Sequence, residues 1–528
     1  MNFSVIGSGL TGYVISSELL KLGYEVRLYD IADEPEQDSL DIKQEYLLNR
    51  NYKKTLNSIY KKIFNLKDKK DKYYFGSGFS YSSISDKNIY TYSSTAKGGL
   101  ANVWGGNILP YYYKDIDVEW PIKHKDLIIY YRKVVNYLNV VSNDSELNNL
   151  YESNFFHQNE QRRNIRDSQT DTILGILDNF KNDLKLNNIY YGETNLAVNK
   201  NNNFKNIECQ KCGLCFYGCP FDVIFSPKYF IENLKKNSNF SYYPYIKINK
   251  YIEKDNKVFL EGYDKKNLKD YRIVTDKIFL SAGVFENLNI INNSEPELFK
   301  NHSSQLLQDA QQFIFLGKIK NYNIEKSLTE NNTMAKINIS IDNKGLSSNL
   351  INIQVYPLSD ILFSKIFFNF RFYNNLLSNI LLKLFKNYFI CIGYLSGKDS
   401  SNIKINRDIN GNLFYTSNKN VNTKKIIKNV IDYVNKVFKN KDLSFSKFFL
   451  KIMPVAASFH VGSYFPMSNN SNNYTSDTLG RINNNKNVHI MDSLILPSIH
   501  ASTTTFTSLA NALRIVDKID RDIKVKNS

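Results

Sequence analysis

The hydrophobic pattern of the first thirty residues switches period twice. Asn2 to Ile6 is a short apolar run of the kind a buried strand needs. From Tyr13 to Leu22 the apolar positions Val14, Ile15, Leu19, Leu20 and Leu22 recur at helical spacing, and Gly23 ends the series. Tyr24 to Tyr29 alternates as a strand does and ends at Asp30. The order is therefore strand, turn, helix, strand. Further along, residues 34–72 are polar and charged and read as an excursion. Residues 120–140 predict a strand end and an amphipathic helix, and residues 141–190 are rich in Asn and Asp and less regular. Residues 240–263 predict paired strands turning at Lys254-Asp255-Asn256. Ile273 to Leu280 predicts a strand closed by Ser281-Ala282-Gly283. Residues 350–397 are aromatic-rich, and 500–520 predict a C-terminal helix. No internal repeat is visible.

The first turn is Gly7-Ser8-Gly9-Leu10-Thr11-Gly12. Between a strand and a helix, each glycine has its own reason. Gly7 allows the tight turn, Gly9 lets backbone approach a pyrophosphate, and Gly12 permits close helix–strand packing. The free N–H groups of the helix then face the phosphates. Asp30 stands where a carboxylate accepts bonds from a ribose hydroxyl. Together these features imply dinucleotide binding. A second small-residue element runs from Ala96 to Asn107, AKGGLANVWGGN. It brackets Trp104 between Gly98-Gly99 and Gly105-Gly106. Such density marks backbone close to a large planar or phosphate-bearing ligand. A Trp between glycines packs against something, unlike a surface turn.

With 528 residues, the chain has room for three to four units at about 150 residues each, or for one large two-domain enzyme. Hydrophobic residues at 42% and charged residues at 23% are enough for a core and exclude a disordered chain, a disulfide miniprotein or a fibrous repeat. The net charge is 68 − 51 = +17. Its lysines sit among Asn, Ile and Tyr, as in LKKNSNF (234–240) and NNNKNVHI (483–490). That pattern fits an AT-rich genome and a solvated surface, or attraction to an anionic membrane face or glycan. No nucleic-acid motif accompanies it, so no nucleic-acid partner is expected. Mean hydropathy is -0.39, with no apolar run of about eighteen residues, which argues against a spanning helix. The N-terminus starts directly as a strand without signal-peptide features, so a cytoplasmic protein is expected.

The C-terminal stretch adds SFHVGSYFPM (458–467), SDTLGRI (476–482) and VHIMDSLILPSIHASTTTFTSLANALRIVDKI (488–519). With the two glycine elements ahead of it, the chain resembles the glucose–methanol–choline (GMC) family of FAD-dependent oxidoreductases. The resemblance spans nearly the whole chain and is weakest over 141–205 and 295–450. It implies an α/β fold, a Rossmann-like FAD-binding domain with a second, sheet-based α+β substrate domain. The FAD domain would comprise 1–140, 191–294 with the cysteine cluster, and 455–528. A cap region at 141–190 and a substrate domain at 295–454 would complete the chain.

The resemblance implies that FAD accepts a hydride from the CH–OH group of an alcohol, with a sugar or polyol as the expected substrate and an unidentified external electron acceptor. Gly7, Gly9 and Gly12 would hold the pyrophosphate, and Asp30 the ribose. Gly98, Gly99, Trp104, Gly105, Gly106 and Asn107 would line the flavin. Ile248 would touch the adenine, Ala282 and Gly283 the adenosine half, and Asp492 and Ser493 the pyrophosphate and ribityl chain. Thr504 and Thr505 would offer backbone N–H groups to the pyrimidine edge at a helix start. His460 would take the substrate's hydroxyl proton. The family follows this His with Gly, Thr and Arg-Met at offsets where this chain has Ser463, Tyr464 and Pro466-Met467, so only the Met agrees. The family's second active-site residue, His or Asn, corresponds to Thr503, whose hydroxyl can orient a substrate oxygen but is a poor base. His500, three positions earlier, either supplies the missing function or faces solvent. His489, in an alternating strand, reads as structural. The GG…WGG element has neither His nor Cys, so non-covalent FAD is expected.

Four of the five cysteines fall within eleven residues: Cys209, Cys212, Cys215 and Cys219, spaced C-x2-C-x2-C-x3-C before Pro220. The spacing is that of a bacterial ferredoxin run. It admits an iron–sulfur cluster, zinc on four thiolates, or a metal-free turn of the kind seen in relatives of the family. Residues 361–390 mix Phe, Leu and Ile with Lys365, Arg371, Lys383 and Lys386. They read as substrate-domain core with a lid, or as a patch for peripheral membrane contact. Two other functions compete: an electron-transfer protein that holds FAD, with or without an iron–sulfur cluster, but does not oxidise alcohols, and a nicotinamide-dependent Rossmann enzyme.

Overall fold

In the computed structural model the described residues are 1–33, 37–50, 54, 55, 58, 86–91, 93–156, 167–198, 209–215, 218–300, 305–320, 333–358, 384–470, 472 and 474–527. A five-stranded parallel sheet is gathered from the start, middle and end of the chain. Its spatial order is Val488–Ile490, Lys277–Leu280, Asn2–Ile6, Glu25–Tyr29, Phe240–Tyr243. Both faces are covered, so Phe3, Val5, Val26 and Leu28 are fully buried, as the apolar runs require. The helix Leu10–Lys21 leaves the first strand, and the terminal helix Thr504–Asn527 packs beside it.

The predicted hairpin forms between Ile246–Lys254 and Lys257–Asp264. Asp255 and Asn256 both take positive φ (+52° and +57°), the turn whose twist matches paired strands. The apolar stretch 273–280 is two strands rather than one. Lys269–Thr275 closes the hairpin sheet, and Lys277–Leu280 joins the parallel sheet. Asp276 marks the switch, its carboxylate accepting the Asn2 N–H at 2.7 Å.

A second layer is a six-stranded antiparallel sheet: Leu443–Ile452, Gln312–Ile319, Tyr388–Tyr394, Ile351–Tyr356, Ile337–Ile341, Ile189–Glu193. Period-two alternation divides its residues. Phe313, Ile339, Ile353 and Cys391 face the helices Ser168–Asn179 and Thr423–Val437. Ile314, Leu316, Ile392 and Tyr394 face inward, toward Ala501. The described residues of 141–190 are more regular than their composition suggests. Asp144, Asn149, Asp171, Asp178, Asn182 and Asp183 are exposed, and Asp167 caps Ser168–Asn179 by accepting the Thr170 N–H at 2.8 Å. A four-stranded sheet, Leu413–Asn418, Asn402–Arg407, Leu306–Asp309, Val461–Gly462, links the two layers.

Among the described residues no helix is long and apolar enough to cross a membrane. Residues 361–383 of the aromatic, basic segment lie outside the described residues, as does most of the 34–72 excursion. The segment's last residues enter the buried strand Tyr388–Tyr394.

Candidate cofactor and active site

A cleft of about 360 Å³ runs along the carboxyl ends of the parallel strands. One end is built from the first turn. Gly7 has φ +99°, and a Cβ there would lie 2.7 Å from the Ala282 Cα. At Gly12 a Cβ would lie 1.9 Å from the Gly7 carbonyl oxygen, so that glycine is required by packing alone. Gly9 differs: a Cβ there would meet nothing within 4 Å, because Gly9 faces the cleft. Gly283 is similarly open, with φ +88°. An open glycine beside a helix start is a cradle into which a diphosphate fits. Asp30 lines the same end. Ser8 and Tyr242 donate to its Oδ2, the latter at 3.1 Å, and burial raises its carboxyl to about 6. Ser8 Oγ also accepts the Gly98 N–H at 2.9 Å, tying the two glycine elements together. The sequence reading missed Ser8 and Tyr242; the position of Ser8 inside the turn was the available signal.

Ile248, Ala282, Gly98, Gly99, Asp492, Ser493, Thr504 and Thr505 all line the cleft. Burial raises the Asp492 carboxyl to about 6, and it accepts the Asn287 amide at 2.7 Å. Trp104, Gly105, Gly106 and Asn107 do not line it among the described residues. Trp104 donates to the Phe225 carbonyl at 2.7 Å, and Asn107 pairs with Asn338 at 3.3 Å. Gly106 has φ +67° and packs on Ala197. The second half of that element packs on its neighbours, and its expected contact with a flavin draws no support from the lining of this cleft.

Beneath Trp104 lies the cysteine turn. Cys209, Cys215 and Cys219 pack with Val141, Leu196, Ile224 and Met334. Gly213 and Gly218 take positive φ (+70° and +87°), and Val223 N–H donates to the Cys219 sulfur at 3.3 Å. Burial first, and then the neighbouring thiols, raise Cys212 and Cys215, the latter to about 12. Among the described residues no three Cys, His, Asp or Glu side chains converge on a metal position. An iron–sulfur or zinc site therefore draws no support from the described residues.

Among the described residues His460 does not itself line the cleft; its chain neighbours Phe459 and Val461 do. Its loop is tightly bound. Ala456, Phe459 and Ser463 take positive φ (+66°, +60°, +59°), each costing on the order of 1 kcal/mol or more for a non-glycine residue. Ser463 stands where the sequence resemblance places a glycine, and its positive φ is one that glycine adopts without strain. Here Ser463 is held by Ser493 O at 2.8 Å and Pro497 O at 3.0 Å. Fully buried Asp309, which the sequence reading missed, receives the Ala456 N–H at 2.8 Å and the Ser458 hydroxyl. Ser458 Oγ accepts the His460 N–H at 2.8 Å, and the Ala310 N–H donates to the His460 carbonyl at 3.1 Å. Burial raises Asp309 to about 7 and lowers His460 to about 4. The imidazole is therefore neutral, the form that accepts a proton. Its Nδ1 is buried without a hydrogen-bond partner, and its ring stacks on Tyr394 with centroids 5.1 Å apart.

The two other expected catalytic residues have different surroundings. Thr503 Oγ1 accepts the Leu109 N–H at 2.8 Å and donates to the Leu109 carbonyl at 3.0 Å. Its single hydrogen is consumed by the main chain, so it does not orient a substrate oxygen. His500 is buried and does not face solvent. It stacks on Tyr111 at 4.1 Å, bonds Ser498 through Nε2 at 3.0 Å, and is lowered to about 4 by burial. Trp120 closes that cluster, so His500 belongs to an aromatic packing unit. His489 lies in the parallel sheet, its Nδ1 bonded to the Leu479 carbonyl at 2.9 Å.

No protein-family model matches the chain, and no curated protein is similar to it in sequence. Its structure is similar to the crystal structure of pyridoxine 4-oxidase from Mesorbium loti. The TM-score is 0.59 over 98% of this chain and 99% of that one, at 10% sequence identity. The shared feature is the fold, a mixed α/β architecture with one parallel and several antiparallel sheets.

Proposed function

We propose that the chain is an FAD-dependent oxidoreductase of the GMC type that oxidises the CH–OH group of a small alcohol. The observation that carries this reading is the continuity of one cleft. It runs from an open glycine at a helix start, past Asp30, Asp492 and Ser493, to Thr504-Thr505 at a second helix start and on to the loop of neutral His460. The fold shared with an oxidase supports it.

In this reading Gly9 and the first N–H groups of the helix Leu10–Lys21 face the diphosphate, while Gly7, whose own N–H donates to the Tyr29 carbonyl at 2.8 Å, and Gly12 shape the turn. Asp30 accepts from the ribose, Ile248 and Gly283 flank the adenosine, and Thr504 and Thr505 hold the pyrimidine edge. FAD bound there would accept a hydride. His460 accepts the alcohol's hydroxyl proton, and its neutral state over ordinary pH suits that task. The N-terminal, middle and C-terminal segments 1–140, 191–294 and 455–528 would form the FAD-binding part. Residues 141–190 and 295–454 would form the substrate-facing part.

The family resemblance favours a sugar or polyol. Because the inward sheet face near His460 is apolar, with Ile314, Ile392 and Tyr394, flat-ringed alcohols are the competing class. The test is to purify the chain, identify acid-released FAD, and mix the protein anaerobically with D-glucose, benzyl alcohol and pyridoxine. Bleaching of the flavin by one of them is expected. A chain that neither retains nor rebinds FAD would overturn the proposal.

A further inference from the structure

In the proposed reaction a second polar group must steady the substrate oxygen while His460 takes its proton. Neither expected candidate is free to do so. Thr503 spends its hydrogen on Leu109, and His500 is stacked within the Tyr111–Trp120 cluster. Tyr394 is differently placed. It lies on the inward face of the six-stranded sheet, buried, with its ring stacked on His460 (centroids 5.1 Å, interplanar angle 26°). Its Oη accepts a hydrogen bond from Gln312 Nε2 at 3.1 Å. A phenol oxygen that already accepts from an amide keeps its own hydrogen for another acceptor, and the accepted bond strengthens that donation. The surrounding wall of Ile314, Leu316 and Ile392 is apolar, so a hydrogen bond made there is stronger than one made in water. Residue 394 closes the alternating run YFICIGY, so the strand's period two fixes its face.

We propose that Tyr394, polarised by Gln312, is a catalytic hydrogen-bond donor to the substrate oxygen beside His460, taking the role that Thr503 does not fill. The inference rests on the reading given under Proposed function. In the step it serves, the C–H bond breaks with its electron pair passing to the oxidant. The O–H proton goes to His460, and the Tyr394 hydrogen bond to the oxygen is kept throughout.

The test uses the FAD-loaded full chain and whichever of D-glucose, benzyl alcohol or pyridoxine reduces it fastest. Tyr394→Phe keeps the ring stack and removes the hydroxyl. Anaerobic stopped-flow should show the limiting reduction rate falling about 30- to 100-fold, within the range of a lost acid–base or hydrogen-bonding group, while the alcohol's Kd changes less than about 3-fold. FAD content, melting temperature and the His460 imidazole titration followed by NMR should not move, whereas a packing role would move them. Gln312→Leu should cost about 5-fold, and it decides the matter if Tyr394→Phe fails to fold. A wild type that is reduced alongside an equally fast Tyr394→Phe, or an equally fast Gln312→Leu where that variant decides, overturns this inference and leaves the proposed function standing. A wild type that holds FAD but is reduced by no alcohol overturns both.

Discussion

The two ends of the cleft are built from different materials. At the Gly7–Gly12 end the main chain does the work: two glycines are demanded by packing, and one is left open for a ligand. At the His460 end side chains do it. A buried carboxylate, a serine and two peptide groups fix a histidine in a loop with three non-glycine residues at positive φ. The first kind of site tolerates no Cβ in the wrong place. The second tolerates substitution by degrees, because each partner contributes one bond.

That contrast is open to direct attack. Gly12→Val should give no folded protein, since the new Cβ would lie 1.9 Å from the Gly7 carbonyl oxygen and 3.1 Å from Ser281 Oγ, and costs beyond about 4 kcal/mol unfold most domains; soluble yield and thermal melting report it. Gly9→Ala should fold normally but bind FAD about 10-fold or more weakly, on the order of 1.4 kcal/mol. If the two behave alike, packing and ligand glycines are not distinct here. His460→Ala should slow anaerobic flavin reduction by about 10²- to 10⁴-fold while FAD content is unchanged. Asp309→Ala strands the Ala456 N–H and the Ser458 hydroxyl and should cost about 1–3 kcal/mol in stability, with a reduction rate lowered through the displaced loop; Asp309→Asn should recover part of both. Thr503→Val should lower stability by about 1–2 kcal/mol yet leave the reduction rate within about 3-fold, because its bonds go to Leu109.

The smallest effect concerns pH. Burial lowers His460 to about 4, below its ordinary value, so the proton binds only in more acidic solution. The reduction rate should stay level as pH falls through the ordinary histidine range and drop only toward 4; an acid limb near the ordinary value would contradict the neutral-base assignment. Stability follows the same sign. The unfolded chain binds the proton first, so this residue's contribution is complete above its unfolded pKa and is lost as pH falls through the interval down to about 4.

What the sequence made legible follows the same divide. The βαβ unit, the hairpin at Asp255-Asn256 and the cleft-lining Gly9, Asp30, Gly283 and Thr504 were readable because local period and turn chemistry determine them. The surroundings of Trp104 to Asn107 were not readable, because glycine density marks close approach without saying to what: Gly106 packs on Ala197, Trp104 bonds Phe225 and Asn107 bonds Asn338. The roles of Asp309, Ser458 and Tyr394 were not readable. Asp309 and Ser458 lie 149 positions apart and meet only through the pairing of Leu306–Asp309 with Val461–Gly462. The cysteine spacing left an iron–sulfur cluster, zinc and a metal-free turn open, and among the described residues no three ligand side chains converge to favour a metal.

The central claim is that one cleft holds FAD with its adenosine by Asp30 and its flavin by His460. A crystal structure of the chain grown with FAD tests it most directly. The expected result is the diphosphate against Gly9, the adenine at Ile248, and the flavin ring between Thr504-Thr505 and His460. A nucleotide bound outside this cleft, or bound with its flavin at the Asp30 end, would contradict the account.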